Sequence, residues 1–102
     1  MQSQIANKEM RYLMRNEKEN IPIEMEITDI LDLHTIAPRD VPIVVAEYLF
    51  QCVERGFRYI RIIHGKGIGF QREAVRNILS SSPLVQTFED GPDWGSTAIV
   101  LN

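Results

Sequence analysis

The chemistry available near neutral pH in this 102-residue chain rests on its two histidines, His34 and His64. Asp32 stands two residues before His34, so in an extended segment both side chains leave the same face. A carboxylate so placed could orient or charge the imidazole for general acid or base work. His64 is followed by Gly65, Lys66, Gly67, Ile68 and Gly69. Glycines of this kind let backbone N–H groups approach an anion closely, and a helix starting just beyond would add its dipole and free donors, favouring a phosphate. Lys66 would add a point charge. Each feature also has a plain reading: a strand-end histidine can be a hydrogen-bonded structural residue, an aspartate can cap a loop, and a glycine run can be a tight turn. The glycine spacing is neither that of a Walker A loop nor, being one residue short, that of the dinucleotide fingerprint. The histidines and scattered carboxylates lack zinc-site spacing, and the motifs specify no cofactor while leaving room for a divalent metal such as Mg²⁺.

The formal charge of −3 argues by itself against a nucleic-acid partner, but its distribution argues the other way. Between Arg55 and Arg76 lie six basic residues (Arg55, Arg58, Arg61, Lys66, Arg72, Arg76) and one acid, Glu73, while the remainder carries 5 basic and 13 acidic residues. A basic segment centred on a glycine loop suits a phosphate-contacting site, with Arg58, Arg61, Arg72 and Arg76 as further grips on a backbone. Trp94, in a turn-rich loop, could stack on a base or fold back over the core.

The length allows one domain and one core. Residues 1–24 are polar and read as an extension of uncertain order, in which Met10, Tyr12, Leu13 and Met14 suggest a helical turn or two. Residues 25–102 form the domain proper. Ile27, Leu31 and Leu33 alternate with Thr28, Asp32 and His34 as in a half-covered strand. Pro42 marks a helix start, Val41, Val45, Leu49, Cys52 and Val53 recur at helical spacing, and Gly56 suits the stop. A strand over 57–63, a helix carrying Ala74, Val75, Ile78 and Leu79, a strand over 84–89 and another over 96–101 complete a βαβαββ order. The lone Cys52 sits on the apolar helix stripe and reads as buried and unreactive. No run is long and apolar enough for a membrane span and no signal peptide is evident, so a cytoplasmic location is expected. The oligomeric state is not specified.

These motifs together resemble the Smr (small MutS-related) family. Leu31, Asp32, Leu33 and His34 look like its opening LDLH motif; His64, Gly65, Lys66 and Gly67 resemble its HGxG motif; and Gly95, Ser96 and Thr97 resemble the glycine and threonine before its last strand. Thr35 stands where the family usually has glycine. The resemblance covers about residues 24–102. It implies a two-layer α/β sandwich with a four-stranded mixed sheet, similar to the C-terminal domain of translation initiation factor 3. It further implies nucleic-acid binding and endonuclease activity on DNA or RNA, and by motif position it carries over His34 with Asp32, and the loop from His64 to Gly67, as functional residues. The leading reading is a nuclease with Asp32, His34 and His64 catalytic and Gly65, Lys66, Gly67 and Gly69 at the phosphate. The alternative is a binding or protein-interaction module without catalysis.

Overall fold

The computed structural model describes residues 11–16, 21–65 and 70–102 of the chain. An antiparallel hairpin of β1 (Arg11–Asn16) and β2 (Ile21–Glu26) comes first. The main body follows as β3 (Ile30–Asp32), a 3-10 turn (Pro38–Asp40), α1 (Val41–Glu54), β4 (Tyr59–Ile63), α2 (Phe70–Ser81), β5 (Val85–Asp90) and β6 (Ser96–Leu101). The expected βαβαββ order and four-stranded mixed sheet are both found, with the strands arranged β3-β4-β6-β5. β3 runs parallel to β4, while β6 is antiparallel to both β4 and β5.

Two local expectations are corrected. Tyr12, Leu13 and Met14 belong to β1 rather than to a helical turn, and Met10 lies outside the described residues. Helix nucleation is costly for so short a segment, whereas the alternating Ile21, Ile23 and Met25 offer a partner strand. The strand read over Ile27 to His34, whose alternation Asp29 and Ile30 already disturb, is also shorter than expected, and only Ile30–Asp32 pairs with the sheet. The Thr28 hydroxyl donates to the Ile30 carbonyl at 3.0 Å and accepts from the Ile30 N–H at 3.2 Å. Such local side-chain bonds divert the backbone from the ladder.

Both helices lie on one face of the sheet. Leu31, Ile60, Ile62, Ile99 and Leu101 are buried there against Val41, Val44, Val45, Tyr48, Leu49 and Cys52 of α1 and Val75 and Leu79 of α2. Gly56, at φ +82°, takes the left-handed turn that ends α1, as its position after Arg55 suggests. Tyr48 is wholly buried, and its hydroxyl donates to the Thr28 carbonyl at 2.6 Å, which satisfies the one polar atom of that side chain. Cys52 is buried as expected, and desolvation pushes its thiol up to about 11. Thiol reagents should therefore label native Cys52 only as fast as the core opens, and labelling at the rate of a free cysteine would contradict this placement.

Candidate active site and nucleic-acid interface

The sheet register gathers the three sequence motifs at one edge. Asp32, the last residue of β3, lies opposite Ile63, the last of β4, and Ile63 lies opposite Ser96, the first of β6. On the far side of β6, Thr97 pairs with Asp90, where β5 ends. Hence Asp32 and His34, His64 and Gly65, and Gly95 to Thr97 all sit at the carboxyl edge of the parallel pair, the edge at which open α/β sheets receive ligands.

Asp32 and His34 form an exposed pair. Asp32 Oδ1 accepts the His34 backbone N–H at 3.0 Å and lies 2.9 Å from His34 Nδ1, with the two side chains 47% and 77% exposed respectively. These two bonds, the backbone one first, hold the Asp32 carboxyl below the ordinary aspartate range. Leu33 between them is buried, which turns both polar residues outward, and the Ile36 N–H closes the turn on the Leu33 carbonyl at 2.9 Å. Thr35 is not strained by this turn, because Trp94 is the only non-glycine residue at positive φ among those described. Glycine is thus not required at position 35 in this backbone.

Since the folded-state carboxyl titrates below its unfolded value, its stabilisation is present above that value and is lost as pH falls through the lowered one. Asp32→Asn is accordingly expected to be slightly less stable than the parent at neutral pH. The gap should begin to close near 3.8, the ordinary value, and disappear below it. Urea unfolding across that range checks this, and a gap that widened on acidification would contradict it.

His64 is placed differently. The residue is 7% exposed and its ring turns to the helix side of the sheet, where Nε2 lies 2.9 Å from Thr97 Oγ1. Nδ1 lies 3.1 Å from the Gly65 carbonyl, which can only accept, so Nδ1 carries a proton and the neutral ring takes the Thr97 hydroxyl hydrogen on Nε2. The backbone amides of His64 and Gly65 both donate to the Gly95 carbonyl, at 3.0 and 2.9 Å. The structure thus brings His64 to Thr97 and Gly95 rather than to the Asp32–His34 pair, which stands on the other face of the same edge. Gly65, at φ +82°, adopts a backbone that side-chain-bearing residues rarely take. Its amide is committed to the Gly95 carbonyl and so is not free to meet an anion. Lys66, Gly67 and Gly69 lie outside the described residues.

The arginines divide into three settings. Arg72 and Arg76 project from α2 onto Asp90: Arg72 Nη2 reaches both carboxylate oxygens at 2.8 Å, its Nε reaches Oδ1 at 3.1 Å, and Arg76 Nη1 joins at 3.3 Å. The guanidinium groups hold the Asp90 carboxyl below its ordinary value, Arg72 foremost. Arg61 runs along the open sheet face and donates to Ser96 Oγ at 2.9 Å, near the edge. Arg58, exposed just before β4 begins, stands at the opposite end of the strand from His64. Sequence reasoning missed Asp90 as the anchor of Arg72 and Arg76, though their i, i+4 spacing facing a strand-end acid was a usable signal. Thr97 entered it only as part of a motif. No group of three or more His, Cys, Asp or Glu side chains among the described residues is placed to hold a metal ion, and no helix among them is long and apolar enough to cross a membrane.

A sequence model of the Smr domain matches residues 31–101, from the strand that ends in Asp32 to the last residue of β6. The chain belongs to the Smr domain family. The endonuclease MutS2 of Caldicellulosiruptor saccharolyticus is 37% identical over 73 residues, covering 71% of this chain and 9% of that protein. The ribosome rescue factor SmrB of Shewanella oneidensis is 29% identical over 73 residues, covering 71% of this chain and 42% of that one. The chain therefore spans under a tenth of the first relative and under half of the second. Among solved structures, the Smr domain of Thermus thermophilus MutS2 superposes with a TM-score of 0.69 at 28% identity, covering 74% of this chain and 99% of that one. The stand-alone small MutS-related protein YdaL of Escherichia coli shares the fold, with a TM-score of 0.67 at 23% identity over 72% of this chain and 63% of that one.

Proposed function

We propose that this Smr domain binds nucleic acid at the carboxyl edge of its sheet and acts there as an endonuclease, with Asp32 and His34 moving the proton. The observation that carries the reading is the exposed imidazole held through Nδ1 by a carboxylate. That bond fixes the tautomer and leaves the Nε2 lone pair outward, where it meets no partner among the described residues. Nε2 can then take a proton from a water, or from a ribose 2′-hydroxyl in RNA, as that oxygen attacks phosphorus. The bond from phosphorus to the leaving oxygen breaks, and that oxygen takes up a proton in turn. Lys66 with the amides of Gly67 and Gly69 would hold the phosphate, and Arg61 and Arg72 lie near the same edge as further contacts. His64 keeps the edge in shape through Thr97 and Gly95. The endonuclease activity for which the MutS2 relative is named agrees with this reading.

Incubating the purified protein with supercoiled plasmid and with structured RNA, each in Mg²⁺, Mn²⁺ or EDTA, tests it. Nicked plasmid or shortened RNA is the expected product in at least one condition. Tight binding to both substrates without any cleavage would overturn the endonuclease reading and leave a binding module.

A further inference from the structure

We propose that Trp94, backed by Arg72, is a stacking platform for an unpaired nucleobase, so that the domain selects single-stranded nucleic acid. This rests on the site proposed above and names its substrate class. Trp94 is the chain's only tryptophan and is 61% exposed, so it does not close the core. It sits at φ +65°, a backbone that a bulky residue adopts only where its surroundings enforce it, and such outliers gather at ligand clamps. The surroundings do enforce it here: the Trp94 N–H donates to the Gly91 carbonyl at 3.3 Å, the Gly91 N–H to the Ser96 carbonyl at 2.8 Å, and the Gly95 N–H to Asp93 Oδ1 at 3.0 Å.

One face of the indole is already occupied. The Arg72 guanidinium carbon lies 4.9 Å from the ring centroid, within range of a cation–π contact. Arg72 is itself pinned, since Nε and Nη2 are both committed to Asp90. With its Nε and Nη2 edge tied to Asp90, the guanidinium is held over the indole, which therefore rests on a rigid and polarised backing. With the residue still 61% exposed despite that contact, the indole remains accessible at the carboxyl edge, and the next residue, Gly95, receives the amides of His64 and Gly65. A base adjoining a phosphate at that edge is therefore within reach of the ring. Bases inside a duplex present only their edges, so the platform admits an unpaired or splayed one. Asp90 is a positioning residue in this scheme, acting through Arg72.

The test is the intrinsic fluorescence of Trp94, titrated in EDTA with a short oligouridylate, a short oligodeoxythymidylate and a duplex of equal length, beside anisotropy of the same labelled strands. Single strands should quench the emission and the duplex should not; quenching by both single strands assigns recognition to the base, and by the ribose strand alone to base and sugar together. Trp94→Ala should weaken single-strand affinity roughly 5- to 150-fold and leave duplex affinity unchanged, with Trp94→Phe recovering most of the loss. Asp90→Asn should lose part of it. If Trp94→Ala does not fold, quenching of the parent protein decides alone. Single strands that bind by anisotropy without quenching, and that Trp94→Ala binds as tightly as the parent, would overturn the platform and spare the site. Failure of every oligonucleotide to bind would overturn both.

Discussion

His34→Ala is expected to cut turnover by on the order of 10²-fold or more while leaving affinity for nucleic acid within a small factor of the parent. The imidazole is 77% exposed and its one bonded partner among the described residues is Asp32, so its removal opens no cavity and orphans no buried group there. The melting temperature should hardly move. What is lost is the group that accepts a proton as the attacking oxygen approaches phosphorus, a contribution made in the transition state and absent from simple binding. Measured as kcat and KM, the effect should fall almost wholly on kcat. A variant that cleaves at the parent rate would remove His34 from the chemistry.

His64→Ala should fail in the opposite manner, by losing stability. Its ring bridges Gly65 and Thr97 in a site 7% exposed, and Thr97 itself is wholly buried. Truncation leaves a buried hydroxyl unsatisfied, a cost of about 1–3 kcal/mol, and a cavity that adds a similar amount. For a domain of this size each kcal/mol shifts the midpoint by roughly 4–8 °C, so a fall in Tm on the order of 10 °C or more is expected. Calorimetry or thermal circular dichroism reads it. If His64→Ala melted with the parent and had lost all cleavage, His64 rather than His34 would be the proton carrier.

Much of this site was legible because strand direction is legible. Strand, helix, strand patterning over residues 27–63 implies a parallel pair, and a parallel pair puts the residues after Asp32 and after Ile63 on one edge whatever the packing. The division between the histidines was not legible. Which face a strand-end side chain takes turns on a single residue of register, and that register sets Asp32 opposite Ile63, so that His64, one residue on, turns under to Thr97. Charge counted along the chain likewise grouped Arg58 with Arg72, although β4 separates Arg58 from the edge by its full length. The Asp90 anchor joins side chains 18 positions apart, and the i, i+4 spacing of Arg72 and Arg76 was the one local hint that they share a partner. The hairpin of β1 and β2 was missed because its apolar cluster is too short for periodicity to tell a helical turn from a strand.

The central claim is that Asp32 and His34 act as one proton-moving unit, and the double variant Asp32→Asn/His34→Ala measures it most directly. Single-turnover cleavage with protein in excess separates the chemical step from binding and product release. If Asp32 acts only by holding the imidazole, then once His34 is gone its own replacement should change nothing further, and the double variant should match His34→Ala. Asp32→Asn alone should fall between His34→Ala and the parent. Losses that multiplied, with the double variant slower than His34→Ala by the full Asp32→Asn factor, would show two independent contributions and contradict the account.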